Sequence, residues 1–256
     1  MAGGGVLDRF SNRVDNYIKF RPDYPAEVLV FLKKQGLLNS ETVIADIGSG
    51  TGISSELFLK TGNVVYGVEP NKEMRTAAER LLSGYKNFKS IDATAENTTC
   101  ESNSIDLIVA GQAFHWFDKK KSKTEFKRIL RGSNGSVVLM WNDRRTDTTQ
   151  FLQAYEDLIK MFATDYLEVN HKNIDEKIFS SFFDGHYKME SFLNYQYFDL
   201  DGLKGRILSS SYMPDENHKD FDFMMSVLKK IFTRFAEEGK VRLEYDTKIY
   251  YDKIAK

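Results

Sequence analysis

Asp46-Ile47-Gly48-Ser49-Gly50-Thr51-Gly52 places a carboxylate and three alternating glycines at the end of an apolar run, Val43–Ile47. Glycine at this density marks backbone that turns tightly and that a ligand approaches closely. In an open α/β sheet, ligands settle outside the carboxyl ends of the strands. The spacing narrows the choice of ligand. A dinucleotide fingerprint needs G-x-G-x-x-G, and position 53 is Ile. A Walker-type loop needs Gly-Lys-Ser/Thr, which does not follow. A second carboxylate, Glu69, closes the next apolar run, Val64–Val68, and is followed by Pro70. A third cluster, Gln112-Ala113-Phe114-His115-Trp116-Phe117-Asp118, follows Ile105–Ala110 and contains a histidine, the side chain that titrates near neutrality. His171, His186 and His218 are scattered without His-Glu-x-x-His spacing, so no metal site is expected. A single cysteine, Cys100, excludes an internal disulfide framework.

The elements that position these residues alternate. Strands are expected at Val43–Ile47, Val64–Val68, Phe88–Ile91, Ile105–Ala110 and Ser136–Trp141. Helices are expected between and around them, at 26–35, 54–60, 72–82 and 123–130. Strands that are almost wholly apolar and alternate with helices describe a parallel sheet covered on both faces. After Asn142 the pattern changes. Residues 148–163 and 220–237 read as helices, 190–198 and 247–251 as strands, and 164–187 as irregular and polar. A return to strand patterning near the C-terminus implies a closing hairpin around an insertion. The chain of 256 residues reads as one domain, with residues 1–25, 146–187 and 202–218 as lid segments over the carboxyl edge of the sheet.

Composition bounds the partners. Lys and Arg number 36 against 37 Asp and Glu, so no long-range field for nucleic acid or an anionic membrane is expected. The lysine-rich run 119–123 reads as a solvated helix start. No stretch approaches a membrane span and no secretory leader is visible, so a cytoplasmic location is expected. Aromatic residues make up 13% of the chain and include Phe10, Tyr17, Phe20, Tyr24 and Tyr212 in the expected lid, which favours a small organic acceptor.

Asp46-x-Gly48-x-Gly50-x-Gly52 resembles motif I of the class I methyltransferases that use S-adenosylmethionine (SAM). The resemblance runs in order from about 43 to 145. Glu69-Pro70 resembles the acidic end of the second strand, Ala93-Thr94-Ala95-Glu96 the adenine-side segment, and 112–118 the loop after the fourth strand in the type-11, trans-aconitate methyltransferase-like group. Many relatives carry Asp where Thr94 stands. The resemblance implies a Rossmann-like fold: a seven-stranded, mainly parallel sheet with an antiparallel last strand and a helical lid. It implies SAM as the methyl donor, held by Asp46, Gly48, Ser49, Gly50, Gly52, Glu69, Pro70, Thr94, Ala95, Gln112, Ala113 and Phe114. Glu69 would accept from the ribose hydroxyls through charge-assisted bonds, and Asp46 would attract the methionyl ammonium. His115 is the candidate catalytic base, set against a packing role beside Trp116. Arg21, Arg144, Arg145 and Arg206 are candidates to meet a carboxylate of the acceptor. The expected activity is methyl transfer to a small molecule, at a carboxylate or hydroxyl. The alternatives are a nicotinamide-type oxidoreductase and a non-catalytic SAM-binding or interaction protein. The resemblance implies neither the acceptor nor the oligomeric state.

Overall fold

A computed structural model describes residues 14–132, 135–164 and 176–254. Phe10, His171 and the parts of the expected lid at 1–13 and 165–175 lie outside the described residues.

Seven strands form one sheet: β1 (Ile44–Ile47), β2 (Val65–Val68), β3 (Phe88–Ile91), β4 (Leu107–Gly111), β5 (Ser136–Arg144), β6 (Lys188–Phe198) and β7 (Val241–Lys253). Their order is β3-β2-β1-β4-β5-β7-β6. The first five strands are mutually parallel, and β7 runs antiparallel to both β5 and β6. The strand order reverses between β1 and β4, which opens a crevice beyond their carboxyl ends. The glycine loop follows one of these strands and Gln112 follows the other.

Successive side chains of a strand point to opposite faces, and both faces of this sheet are covered. On one face Ala45, Ile47, Ile108, Ala110, Val137, Leu139 and Trp141 pack with Phe126 and Ile129 of α5 (Lys119–Ile129) and with Phe179 and Phe182 of α7 (Glu176–Phe182). On the other, Ile44, Val65, Leu107, Val109, Val138 and Met140 meet Val28 and Leu32 of α2 (Glu27–Lys34) and Leu57 and Phe58 of α3 (Ile53–Leu59). The helix α4 (Lys72–Leu81) is capped by Asn71, whose side chain accepts from Met74 N–H at 2.9 Å.

Three differences from the expected elements have local causes. The helix expected from residue 123 starts at Lys119, because the Asp118 carboxylate caps it by accepting from the N–H groups of Lys120 and Lys121. The last strand is longer than expected and pairs along its whole length between two partners. Residues 176–182, inside a stretch read as irregular, form α7. Its Phe179 and Phe182, together with Phe183, lie in the core under the sheet rather than over its edge.

A third apolar cluster joins α6 (Gln150–Phe162), α8 (Leu200–Leu208) and α9 (Phe221–Phe235) to the start of β7, through Leu152, Tyr155, Leu203, Met224, Leu228, Leu243 and Tyr245. The N-terminal α1 (Val14–Phe20) rests on α8 at Gly205, where an added Cβ would stand 1.9 Å from the Phe20 ring. Gly205→Ala should therefore destabilise the protein by about 1–3 kcal/mol, the usual cost of overpacking. Urea unfolding of Gly205→Ala, Phe20→Ala and the double variant should show a coupling of about 0.5 kcal/mol or more, because the smaller residue 20 makes room for the methyl group.

Candidate active site

The loop after β1 is held in a conformation that suits glycine. Gly48 has φ +70° and Gly50 φ +56°, in the left-handed region. An added Cβ at Gly48 would lie 2.5 Å from the Cβ of Ala113, so this backbone presses on the loop after β4. Gly52 caps α3, and a Cβ there would meet Leu82 at 2.6 Å, which makes it a packing position rather than a wall of the crevice.

Glu69 staples this loop to the end of β2. Gly50 N–H donates to its Oε2 at 2.9 Å and Asn71 N–H to its Oε1 at 2.8 Å. Burial raises the Glu69 carboxyl above its ordinary value, while those two N–H groups and Arg75 pull the other way. Each carboxylate oxygen has further lone-pair capacity, so the same group can also accept from a ligand diol.

Asp46 lies under the loop and is fully buried. The hydroxyls of Ser54 and Ser55 donate to its Oδ2 at 2.7 and 2.6 Å. Its Oδ1 is buried with no partner among the described residues. Burial pushes its carboxyl up to about 6, despite the two serine bonds. Asp46 does not itself line the crevice, where its contact with a cationic ligand group was expected; Ser54, which donates to it, does, so its charge acts on the crevice from behind that hydroxyl.

The crevice has two halves that share Tyr17, Gly48, Gly50, Gly111, Gln112 and Trp116. One half adds Glu69, Pro70, Asn71, Met74, Thr94, Ala95, Glu96, Ala113 and Phe117, a slot with two carboxylates in its lining that fits an adenosine. The other half adds Ser49, Thr51, Ser54, His115, Asn142, Ser211 and Tyr212, together with Arg21, Arg144 and Arg206. Gln112 joins them in a strained backbone: its φ is +57°, and its N–H donates to Met140 O at 2.8 Å.

Not every expected residue reaches the crevice. Phe114 is corrected: it is fully buried among Phe117, Trp141, Phe179 and Phe182, and Trp116 and Phe117 take the wall it was expected to form. Arg145 turns away to pair with Asp246 at 2.7 Å. His115 lines the second half, with its ring centroid 4.6 Å from that of Trp116. Asn71, Met74 and Asn142 join the crevice without having been singled out by the sequence. Asn142 ends the apolar run of β5, and the rule that strand carboxyl ends bear ligands points to it. Met74 carries no such signal. Among the described residues no group of three His, Cys, Asp or Glu is placed to hold a metal, and no helix is long and apolar enough to cross a membrane.

Residues 45–139 match the family described as Methyltransferase domain. A methyltransferase-like protein of Schizosaccharomyces pombe is 26% identical over 163 residues, covering 62% of this chain and 60% of its own length. A methyltransferase of Mycobacterium bovis is 31% identical over 135 residues, covering 53% of this chain and 52% of its own. The chain thus spans between half and two thirds of the length of these relatives. The solved structure of a protein from Anaeromyxobacter dehalogenans, provisionally assigned as a type II methyltransferase, superposes with a TM-score of 0.67 at 17% identity, covering 92% of this chain and 98% of the other. The fold is the Rossmann-like class I methyltransferase fold.

The raised Asp46 carboxyl gives the site a pH signature. Ionising it costs the empty protein free energy that grows as pH rises from the ordinary carboxylate range through about 6. A cation bound in the crevice beyond Ser54 offsets part of that cost. SAM affinity measured by calorimetry should therefore strengthen as pH rises from 5 to 7 and then level off. Asp46→Asn should bind roughly ten- to hundred-fold more weakly, with that pH dependence lost.

Proposed function

We propose that this chain, whose residues 45–139 match the methyltransferase domain family, transfers the methyl group of SAM to a carboxylate or hydroxyl oxygen of a small molecule. One observation carries the reading. A slot that fits the donor's adenosine and a second cavity meet at Gly48, Gly50, Gln112 and Trp116, so two substrates can touch there. When bound, SAM supplies an electrophilic methyl on a positive sulfur.

The chain's own residues hold and align. Glu69 takes the ribose diol while keeping Gly50 in place. Asp46 balances the methionyl ammonium. Ala95, Met74 and Phe117 wall the adenine. Gln112 and Trp116, shared by both halves, border the point of transfer. In-line displacement draws most of its acceleration from such positioning, so no general base is obligatory. The lid segments 1–25, 146–187 and 202–218, without the α7 residues that lie in the core, belong to the same proposal. Arg21, Arg206 and Tyr212 come from them and close the second cavity. A cytoplasmic location is part of it too, and cell fractionation would test it.

Incubation with SAM and mixed pools of carboxylic acids and alcohols should yield S-adenosylhomocysteine and a product heavier by one methyl group, both detectable by mass spectrometry. Glu69→Ala should weaken SAM binding about ten- to hundred-fold, and more than Glu69→Gln, which keeps one acceptor oxygen. Binding without turnover in any pool would refute the enzymatic reading.

His115 reports the acceptor atom. For a hydroxyl acceptor, His115→Ala should lower kcat by about 10²–10⁴-fold, the size of a general-base contribution. A carboxylate is already ionised at neutral pH, and the same variant should then act through KM alone. Steady-state kinetics with saturating SAM distinguishes the two, and an unchanged kcat and KM would leave His115 as packing against Trp116.

A further inference from the structure

The second half of the crevice is electrostatically lopsided. Arg21, Arg144 and Arg206 line it, and among the described residues no aspartate or glutamate does. Arg144 is offset by Glu156, with which it pairs. The other two are not: neither makes an ion pair with a carboxylate among the described residues. Arg206 is 6% exposed. Its Nε donates to Tyr245 Oη at 3.1 Å, and its Nη1 reaches Ser209 Oγ and Ser210 Oγ at 3.4 and 3.3 Å, all neutral partners. Its Nη2 makes no hydrogen bond among the described residues. Arg21 donates from Nη2 to Ser209 O at 2.9 Å, and its Nε is buried with no partner among the described residues.

The two guanidinium groups are brought together by construction. The tight seat of Phe20 on Gly205 puts the next residue of each segment, Arg21 and Arg206, side by side at Ser209. A relay fixes the arrangement. Tyr245 Oη accepts from Arg206 and donates to Gln196 Oε1 at 2.8 Å, and the Gln196 amide donates to Phe20 O at 3.3 Å. Burial and the neighbouring Arg206 both push the Arg21 guanidinium below its ordinary value. Two adjacent, partly dehydrated cations are costly unless an anion joins them. A donor with its methionyl end in this half would bring one carboxylate against these two positive charges and leave one over.

We infer that Arg206, with Arg21 beside it, forms an oxyanion subsite for the acceptor, which is a small molecule carrying a carboxylate or phosphate group apart from the atom that is methylated. The guanidinium fork matches either oxyanion in a bidentate pair. A guanidinium bonded to both oxygens draws on their charge and makes them the poorer nucleophile, so the methylated oxygen is a separate one. In the transfer, a bond forms from the acceptor's reacting oxygen to the methyl carbon as the carbon–sulfur bond breaks, and the electron pair stays on sulfur. The proton of a hydroxyl acceptor leaves to His115 or water, and the anchoring anion keeps its charge. The inference rests on the methyl-transfer reading above.

The test titrates the protein loaded with S-adenosylhomocysteine with succinate and, separately, with inorganic phosphate, by calorimetry in a chloride buffer. Saturable binding of at least one anion is expected, and the stronger of the two identifies the anchor as carboxylate or phosphate. Arg206→Met should weaken it about ten- to hundred-fold, with affinity for S-adenosylhomocysteine unchanged. Arg206→Lys should restore part of the loss. The anion should raise the melting temperature of the wild type and not that of Arg206→Met, which shows that the variant is folded and lacks the site. Absence of binding by both anions, or equal binding by wild type and Arg206→Met, overturns the inference. So does a variant that loses S-adenosylhomocysteine instead, because the arginine then serves the donor's own carboxylate. The same titrations are run without S-adenosylhomocysteine. If that ligand itself fails to bind, the methyl-donor reading falls, and the anion titrations still judge the arginine subsite.

Discussion

The carboxylate of Glu69 is the constraint on which the crevice depends. Both of its oxygens accept backbone N–H groups, one from the glycine loop after β1 and one from the start of α4. Two chain segments that emerge from neighbouring parallel strands are thereby held at one spacing. The loop can take that position because its alternate residues lack side chains, and Gly48 can press on Ala113 because nothing stands between them. The donor slot is the space left between these segments. A group that both builds the slot and faces it has no slack to give a ligand of different shape, which is how preorganised sites avoid reorganisation when they act.

The second half of the crevice has a different origin. It is made where the N-terminal segment is strapped across the edge of the sheet. Asn142, at the end of β5, donates to the carbonyls of Pro22 and Asp23, and Asn194 of β6 donates to Asp23 O at 2.6 Å. The Asn142 side chain in turn accepts from Thr247 of β7. These polar clamps join three neighbouring strands to a stretch of chain with no strand of its own. They also carry Arg21 and Tyr17 to the cavity. The strand order β5-β7-β6, with β7 inserted antiparallel, sets Asn142 opposite Thr247 and Asn194 opposite Tyr245 two residues along, from where the Asn194 amide donates to Asn142 Oδ1 at 3.3 Å.

Much of the half proposed for the donor is legible in the amino-acid sequence. Apolar strands alternating with amphipathic helices have few packed solutions, and a parallel sheet has its ligand edge at the carboxyl ends. Asp46, the glycines and Glu69 can be read because each answers to a local rule about turns, charge or backbone approach. Phe114 cannot be placed in this way. A short 3₁₀ turn, Phe114–Trp116, decides which of several consecutive aromatic residues faces inward, and its rotation depends on the room left by α7. That helix is hidden as well, since seven residues hold too few turns for periodicity to show.

The sequence by itself determined the fold class, the edge of the sheet where the crevice opens, and the glycine loop and Glu69 that shape it, because these follow from contacts between residues close in the chain or from the period of a strand. Only the tertiary structure decided which arginines matter. Arg144, Arg145 and Arg206 look alike as residues, yet one is neutralised by Glu156, one turns outward to Asp246, and one is buried beside Arg21 without a carboxylate partner among the described residues. Charge compensation is a property of neighbours in space. The residues that supply or withhold it here, Glu156, Asp246 and Phe20 on Gly205, are brought into place by packing between elements far apart in the chain.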